Sequence, residues 1–141
     1  MYQHLIRAIP NKMSILSAKE SNSWTIAKTS NIVQNTNHAN ILMYHRFGEN
    51  KYPTTNTTIE QFISHTNELV KNKYDVIRLD KVIKGIQGKI DLNDRSVSIT
   101  IDDAYSSVYE YAWPIFKKHK LPFTLFISTD VIDNKTPGYM S

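Results

Sequence analysis

The sequence predicts an α/β fold, a parallel sheet with helices packed outside it. Three observations carry that expectation. Short apolar runs recur along the chain from Ile41 onward. Between them lie stretches with helical spacing of apolar residues. Strand and helix patterns then alternate in a repeated βα order, which favours parallel pairing with crossover helices.

The elements follow in order. Ile41-Leu42-Met43-Tyr44 is a short apolar run that ends in His45-Arg46-Phe47-Gly48, so it reads as a buried strand followed by a loop. Thr57-x-x-Glu60 has the form of a capping box. After it, Ile59, Phe62, Ile63, Leu69, Val70 and Tyr74 fall mostly at helical spacing and predict an amphipathic helix over 58–73. Val76-Ile77 offers a very short strand. Asp80 is a candidate cap for a helix carrying Val82, Ile83 and Ile86, with Gly88 ending it.

Val97, Ile99 and Ile101 alternate with Ser96, Ser98 and Thr100, the clearest strand signal in the chain. It ends in Asp102-Asp103. A helix pattern follows through Val108, Tyr111, Ala112, Ile115 and Phe116, with Lys117, Lys118 and Lys120 suiting its C-terminal dipole. Pro114 should kink or restart that helix. Leu121-Pro122 breaks it, and Phe123 to Ile127 predicts a further strand.

The chain has 141 residues, the size of one domain, with 40% hydrophobic and 21% charged residues. No apolar run approaches the ~18 residues of a membrane-spanning helix. With no cysteine, disulfide scaffolds, cysteine nucleophiles and Cys-ligated zinc are excluded. The net charge of +4 is concentrated early: Arg7, Lys12, Lys19 and Lys28 face only Glu20 in the first forty residues. No Lys/Arg cluster is interleaved with aromatics, so a solvated lead-in fits better than a nucleic-acid surface. Residues 1–38 are expected to be weakly structured and 39–141 to be the organised domain. Leu5, Ile6, Ala8 and Ile9 are interrupted by Arg7 and stopped by Pro10-Asn11-Lys12, which does not make a signal peptide.

Asp102-Asp103 closes a strand, and parallel sheets gather their chemistry at the carboxyl ends of strands. As strand gives way to loop, one carboxylate can ligate a metal while its neighbour faces the substrate. An Asp at that place is also a favoured helix N-cap.

Ser98-Ile99-Thr100-Ile101-Asp102-Asp103-Ala104-Tyr105 resembles the first motif of the NodB-type polysaccharide deacetylases, usually Thr-Phe-Asp-Asp-Gly. Ile41 to Phe47, Tyr109 to His119 and Leu121 to Thr129 resemble further pieces of that family in the same order. The resemblance spans roughly Ala39 to Ser141. It implies a partial, distorted (β/α) barrel of about three βα units plus one strand. It also implies removal of N-acetyl groups from an amino-sugar polysaccharide with a divalent metal ion, zinc first among the candidates. Asp102 matches the general base and Asp103 a metal ligand. Family members are generally exported or act at the cell envelope.

Two departures are mild: Ala104 replaces Gly and Ile101 replaces Phe. Ala104 bears on a backbone that needs positive φ. The larger departure concerns the second motif, His-Ser/Thr-x-x-x-His. The histidines are His4, His38, His45, His65 and His119, and no pair has that spacing. His65-Thr66 resembles half of it, but Leu69 and Val70 stand where the second His belongs. His45 ends a strand at the expected rim and is a candidate acid or substrate contact. The expectation is therefore a truncated chain that is inactive alone. Two rivals are a non-catalytic carbohydrate-binding or assembly fragment and a glycoside hydrolase using Asp102; sensitivity to EDTA separates the metal-dependent reading from the latter.

Overall fold

A computed structural model describes residues 6–7 and 38–140. The lead-in expected over residues 1–38 lies outside the described residues apart from Ile6, Arg7 and His38. The strands are β1 (Ile6–Arg7), β2 (Asn40–Tyr44), β3 (Arg46–Phe47), β4 (Asn56–Thr57), β5 (Asp75–Val76), β6 (Ser96–Ile101) and β7 (Thr124–Leu125). The helices are α1 (Ile59–Lys71), α2 (Leu79–Ile86), α3 (Trp113–His119), entered through a π-helical turn over Val108–Ala112, and α4 (Thr129–Asp133).

β6 is the centre of the main sheet. β2 runs parallel along one edge, pairing Asn40 with Val97 through Tyr44 with Ile101. β5 and β7 share the other edge: β5 meets Ser96 and Val97, and β7 meets Thr100 and Ile101. β1 adds antiparallel to β2. This is the partial, distorted parallel α/β arrangement expected from the sequence.

All six residues of β6 are buried. Paired residues of a parallel ladder point to the same face, and alternate residues point to opposite ones. On one face Tyr44, Val97, Ile99 and Ile101 pack with Phe62 and Leu69 of α1 and with Val108, Ala112 and Phe116 of the π turn and α3. On the other, Ala39, Ile41 and Ile77 pack with Val82, Leu79 and Leu92, which brings α2 to the side of Ser96, Ser98 and Thr100. The chain passes from β2 over β6 to β5 through α1, then back to β6 through α2. Right-handed crossovers that reverse direction must use opposite faces. The serines are thus buried against a helix rather than turned to water; the Ser96 and Ser98 hydroxyls have no hydrogen-bond partner among the described residues.

Several boundaries differ from expectation. The capping box sits one residue later: the Thr58 hydroxyl accepts from the Gln61 N–H while the Gln61 side chain accepts from the Thr58 N–H. Thr57 is buried in β4 instead, paired with Phe47 in a small two-stranded parallel sheet where only a loop was expected. Asp80 does not cap α2; the cap position is Arg78, whose Nε donates to Asp80 at 2.9 Å. Gly88, at φ +70°, ends that helix as expected. Pro114 lies in the first turn of α3 and restarts the helix. Its missing N–H cannot serve the carbonyl four residues back, and the backbone widens into the π turn just before it. The strand expected over 123–127 shortens to two residues because β6 ends at Ile101; one more bond, Phe126 N–H to the Ile101 carbonyl, extends it. α4 was not expected. No helix among the described residues is long and apolar enough to cross a membrane.

Candidate active site at the carboxyl ends of the strands

Tyr44 is paired with Ile101, so the next residues, His45 and Asp102, leave two adjacent strands side by side. His45 Nε2 lies 3.7 Å from Asp102 Oδ2, with the two side chains 26% and 30% exposed. The Asp102 N–H donates to the Tyr44 carbonyl at 2.9 Å, which prolongs the ladder by one bond. His45, Asp102 and Asp103 line an open cleft of about 380 Å³ together with Phe126, Ile127 and Ser128 from the end of β7. Three parallel strands thus deliver their carboxyl ends to one place, where such sheets bind ligands. The apolar wall, Phe126 and Ile127, is half exposed.

Asp103 and Ala104 both have positive φ, 70° and 52°. The departure noted at Ala104 therefore falls on a left-handed position that glycine would occupy without steric cost. Neither aspartate occupies the helix cap position, which is Ser107. The Tyr105 hydroxyl lies near the Asp103 carboxylate and the Tyr139 side chain. Burial and those two neighbours push the phenol up to about 12, so it is neutral at neutral pH. Arg46 lies 3.4 Å from the Tyr105 ring centroid and 4.0 Å from that of Tyr52, and its Nη1 donates to Glu49 at 2.7 Å.

The structure brings His45, Asp102 and Asp103 together and leaves His65 and His119 apart. His65 is on α1, where its Nδ1 lies 3.1 Å from the Tyr44 hydroxyl, on the helix-covered face of the sheet. His119 is in the last turn of α3. His4 lies outside the described residues. Sequence reasoning missed Tyr105 as a partner of Asp103 and Arg46 as a stacking cation. Their proximity comes from the turn after Asp102 and from β3 lying beside the π turn, where the Phe47 N–H donates to the Ser107 hydroxyl, which no periodicity announces. Phe126 to Ser128 were legible only as strand.

The donor set here falls short of a site for a divalent ion. Among the described residues no three His, Cys, Asp or Glu side chains come together as a metal site. Asp103 supplies one carboxylate, and a divalent ion does not fit the described residues as a complete site.

Residues 89–140 match the polysaccharide deacetylase family model. Among solved structures, a de-N-acetylase from Aggregatibacter actinomycetemcomitans is similar at 27% identity and a TM-score of 0.59, over 70% of this chain and 40% of that one. IcaB from Ammonifex degensii is similar at 28% identity and a TM-score of 0.57, over 63% and 37%. The Streptococcus pyogenes deacetylase PplD, in complex with acetate, shares the fold at 19% identity and a TM-score of 0.63, over 72% and 47%. The chain spans less than half the length of each. No curated protein matches it.

Proposed function

We propose that this chain, of the polysaccharide deacetylase family by its matched segment and its fold, carries the base-bearing part of a site that hydrolyses N-acetyl groups on an amino-sugar polysaccharide. The observation that supports this reading is the convergence of His45, Asp102 and Asp103 at the ends of neighbouring parallel strands, on an open cleft with an apolar wall.

In this reading Asp102 is the general base. It takes a proton from the water that attacks the acetyl carbonyl carbon; the C–N bond then breaks, the amine nitrogen takes a proton and acetate leaves. Such a base contributes about 10²–10⁴ in rate. His45, beside Asp102, orients that carboxylate and is the candidate donor to the leaving amine. Phe126 and Ile127 offer a surface for the acetyl methyl and the sugar ring. Asp103 is the carboxylate assigned to a divalent ion, zinc by preference; its partner ligands are not among the described residues, so turnover by the 141-residue chain alone is expected to be near background.

Two measurements test this. An N-acetylglucosamine oligomer should shift the amide resonances of His45, Asp102, Asp103 and Phe126 to Ser128, and its fully deacetylated counterpart should not. Perturbation elsewhere, or none, would sink the site. Acetate release and zinc content are measured on the same chain; stoichiometric zinc with sustained turnover would overturn the claim of an incomplete donor set. EDTA-insensitive cleavage of glycosidic bonds would instead favour the hydrolase rival.

A further inference from the structure

Tyr105 lies between the acidic pair and the end of the described chain, and the backbone there is strained. Asp103 and Ala104 are consecutive left-handed residues, at φ 70° and 52°, with no glycine at either position. Each conformation is strained for an L-residue, so the turn persists only if its surroundings hold it. Three backbone bonds tie it at both sides: Asp102 N–H to the Tyr44 carbonyl, Ser106 N–H to the Gly138 carbonyl and Met140 N–H to the Ala104 carbonyl, each 2.9 Å. The Tyr105 ring is packed between the Arg46 guanidinium, 3.4 Å from its centroid, and the Tyr139 ring, at 4.7 Å. Its hydroxyl lies near the Asp103 carboxylate.

We infer that Tyr105, clamped by Arg46 and by the Gly138–Met140 segment, is a positioning residue that holds the strained turn and with it the orientation of Asp102 and Asp103. In a continuing strand, consecutive side chains point to opposite faces. Here Asp102 and Asp103 both line one cleft, and the chain departs from strand geometry at Asp103, the first of the left-handed pair. Tyr105 lies beside Asp103 and acts on Asp102 through the turn. The inference rests on the proposed deacetylase site for its consequence, and on the turn's geometry for its cause.

The test is amide hydrogen exchange, followed by NMR on the full chain. Tyr105→Phe removes the hydroxyl beside Asp103 and keeps the ring. It should speed exchange at Asp102, Ser106 and Met140 by about tenfold or more relative to Ile99 in the centre of β6. Adding Ala104→Gly removes the steric cost of one left-handed residue, and should restore most of that protection. Arg46→Lys, which loses the planar stack, should give the same local pattern at smaller amplitude and serves if the tyrosine variant does not fold. Uniform acceleration that includes Ile99, no local change, or no rescue by glycine would each overturn the inference. The amino-sugar oligomer provides a separate arm. If it fails to perturb the wild-type cleft, the deacetylase reading fails and the exchange result still stands. If it perturbs the wild type and perturbs Tyr105→Phe identically at Asp102 and Asp103, positioning fails while the reading stands.

Discussion

At the scale of single residues, partner and face decide what a titratable group does. His45 and His65 differ by little in kind and wholly in place. His45 follows β2 into the cleft, beside Asp102. His65 sits on α1 over the other face, with Tyr44, Glu68 and Tyr74 around the same cavity of about 340 Å³. Burial lowers the His65 imidazole below its ordinary value, and burial also pushes the Tyr44 phenol up, so the neutral pair is favoured at neutral pH. A histidine lowered in the folded state contributes stability that is present above the unfolded value of about 6.5. That contribution is lost as pH falls through the folded value. The urea midpoint should therefore drop between pH 7.5 and pH 5, and His65→Gln should flatten that part of the profile. An unchanged slope in the variant would assign the acid sensitivity to other groups.

At the scale of elements, caps and breakers place the boundaries, and at α1 the cap acts one residue away from where spacing puts it. Thr57 and Thr58 are both plausible caps in sequence. Thr57 is drawn into β4 by pairing with Phe47, which leaves Thr58 to cap α1. Thr58→Ala should cost about 1 kcal/mol, a fall of roughly 4–8 °C in Tm for a domain of this size. Thr57→Ala leaves the reciprocal cap intact, so a larger loss there than at Thr58 would contradict the observed register as the source of helix stability. Pro114 shows the same logic at α3, where one absent N–H divides a continuous apolar pattern into a π turn and a helix.

At the scale of the whole molecule, one aromatic chain joins the layers. Phe47 of β3, Phe62 of α1 and Phe116 of α3 meet edge to face, with centroids 4.7 and 5.0 Å apart, and all three are fully buried. Phe62 stands at the junction and also meets Tyr44, the last residue of β2 before His45. Phe62→Ala should cost about 3–5 kcal/mol, a large share of the 5–15 kcal/mol typical of a folded domain. Urea unfolding measures it; a loss below about 1 kcal/mol would mean that the helices do not dock through this contact.

The βα order, β6 and the acidic pair at its end were legible in sequence. Each depends on neighbours in the chain: the alternation from Ser96 to Ile101, the helical spacing from Ile59 to Leu69, and the family-like Asp102-Asp103 motif. The strand order was not legible. β6 lies between β2 and β5, and α2 covers the serine face, because the handedness of crossovers acts on whole units. Nor was the partnership of Tyr105 with Asp103, or of His45 with Asp102. The sequence by itself determined which residues stand at a strand end. Only the tertiary structure decided which strand ends are adjacent, since lateral pairing joins residues 57 apart in the chain, His45 and Asp102, by a register that no local pattern encodes.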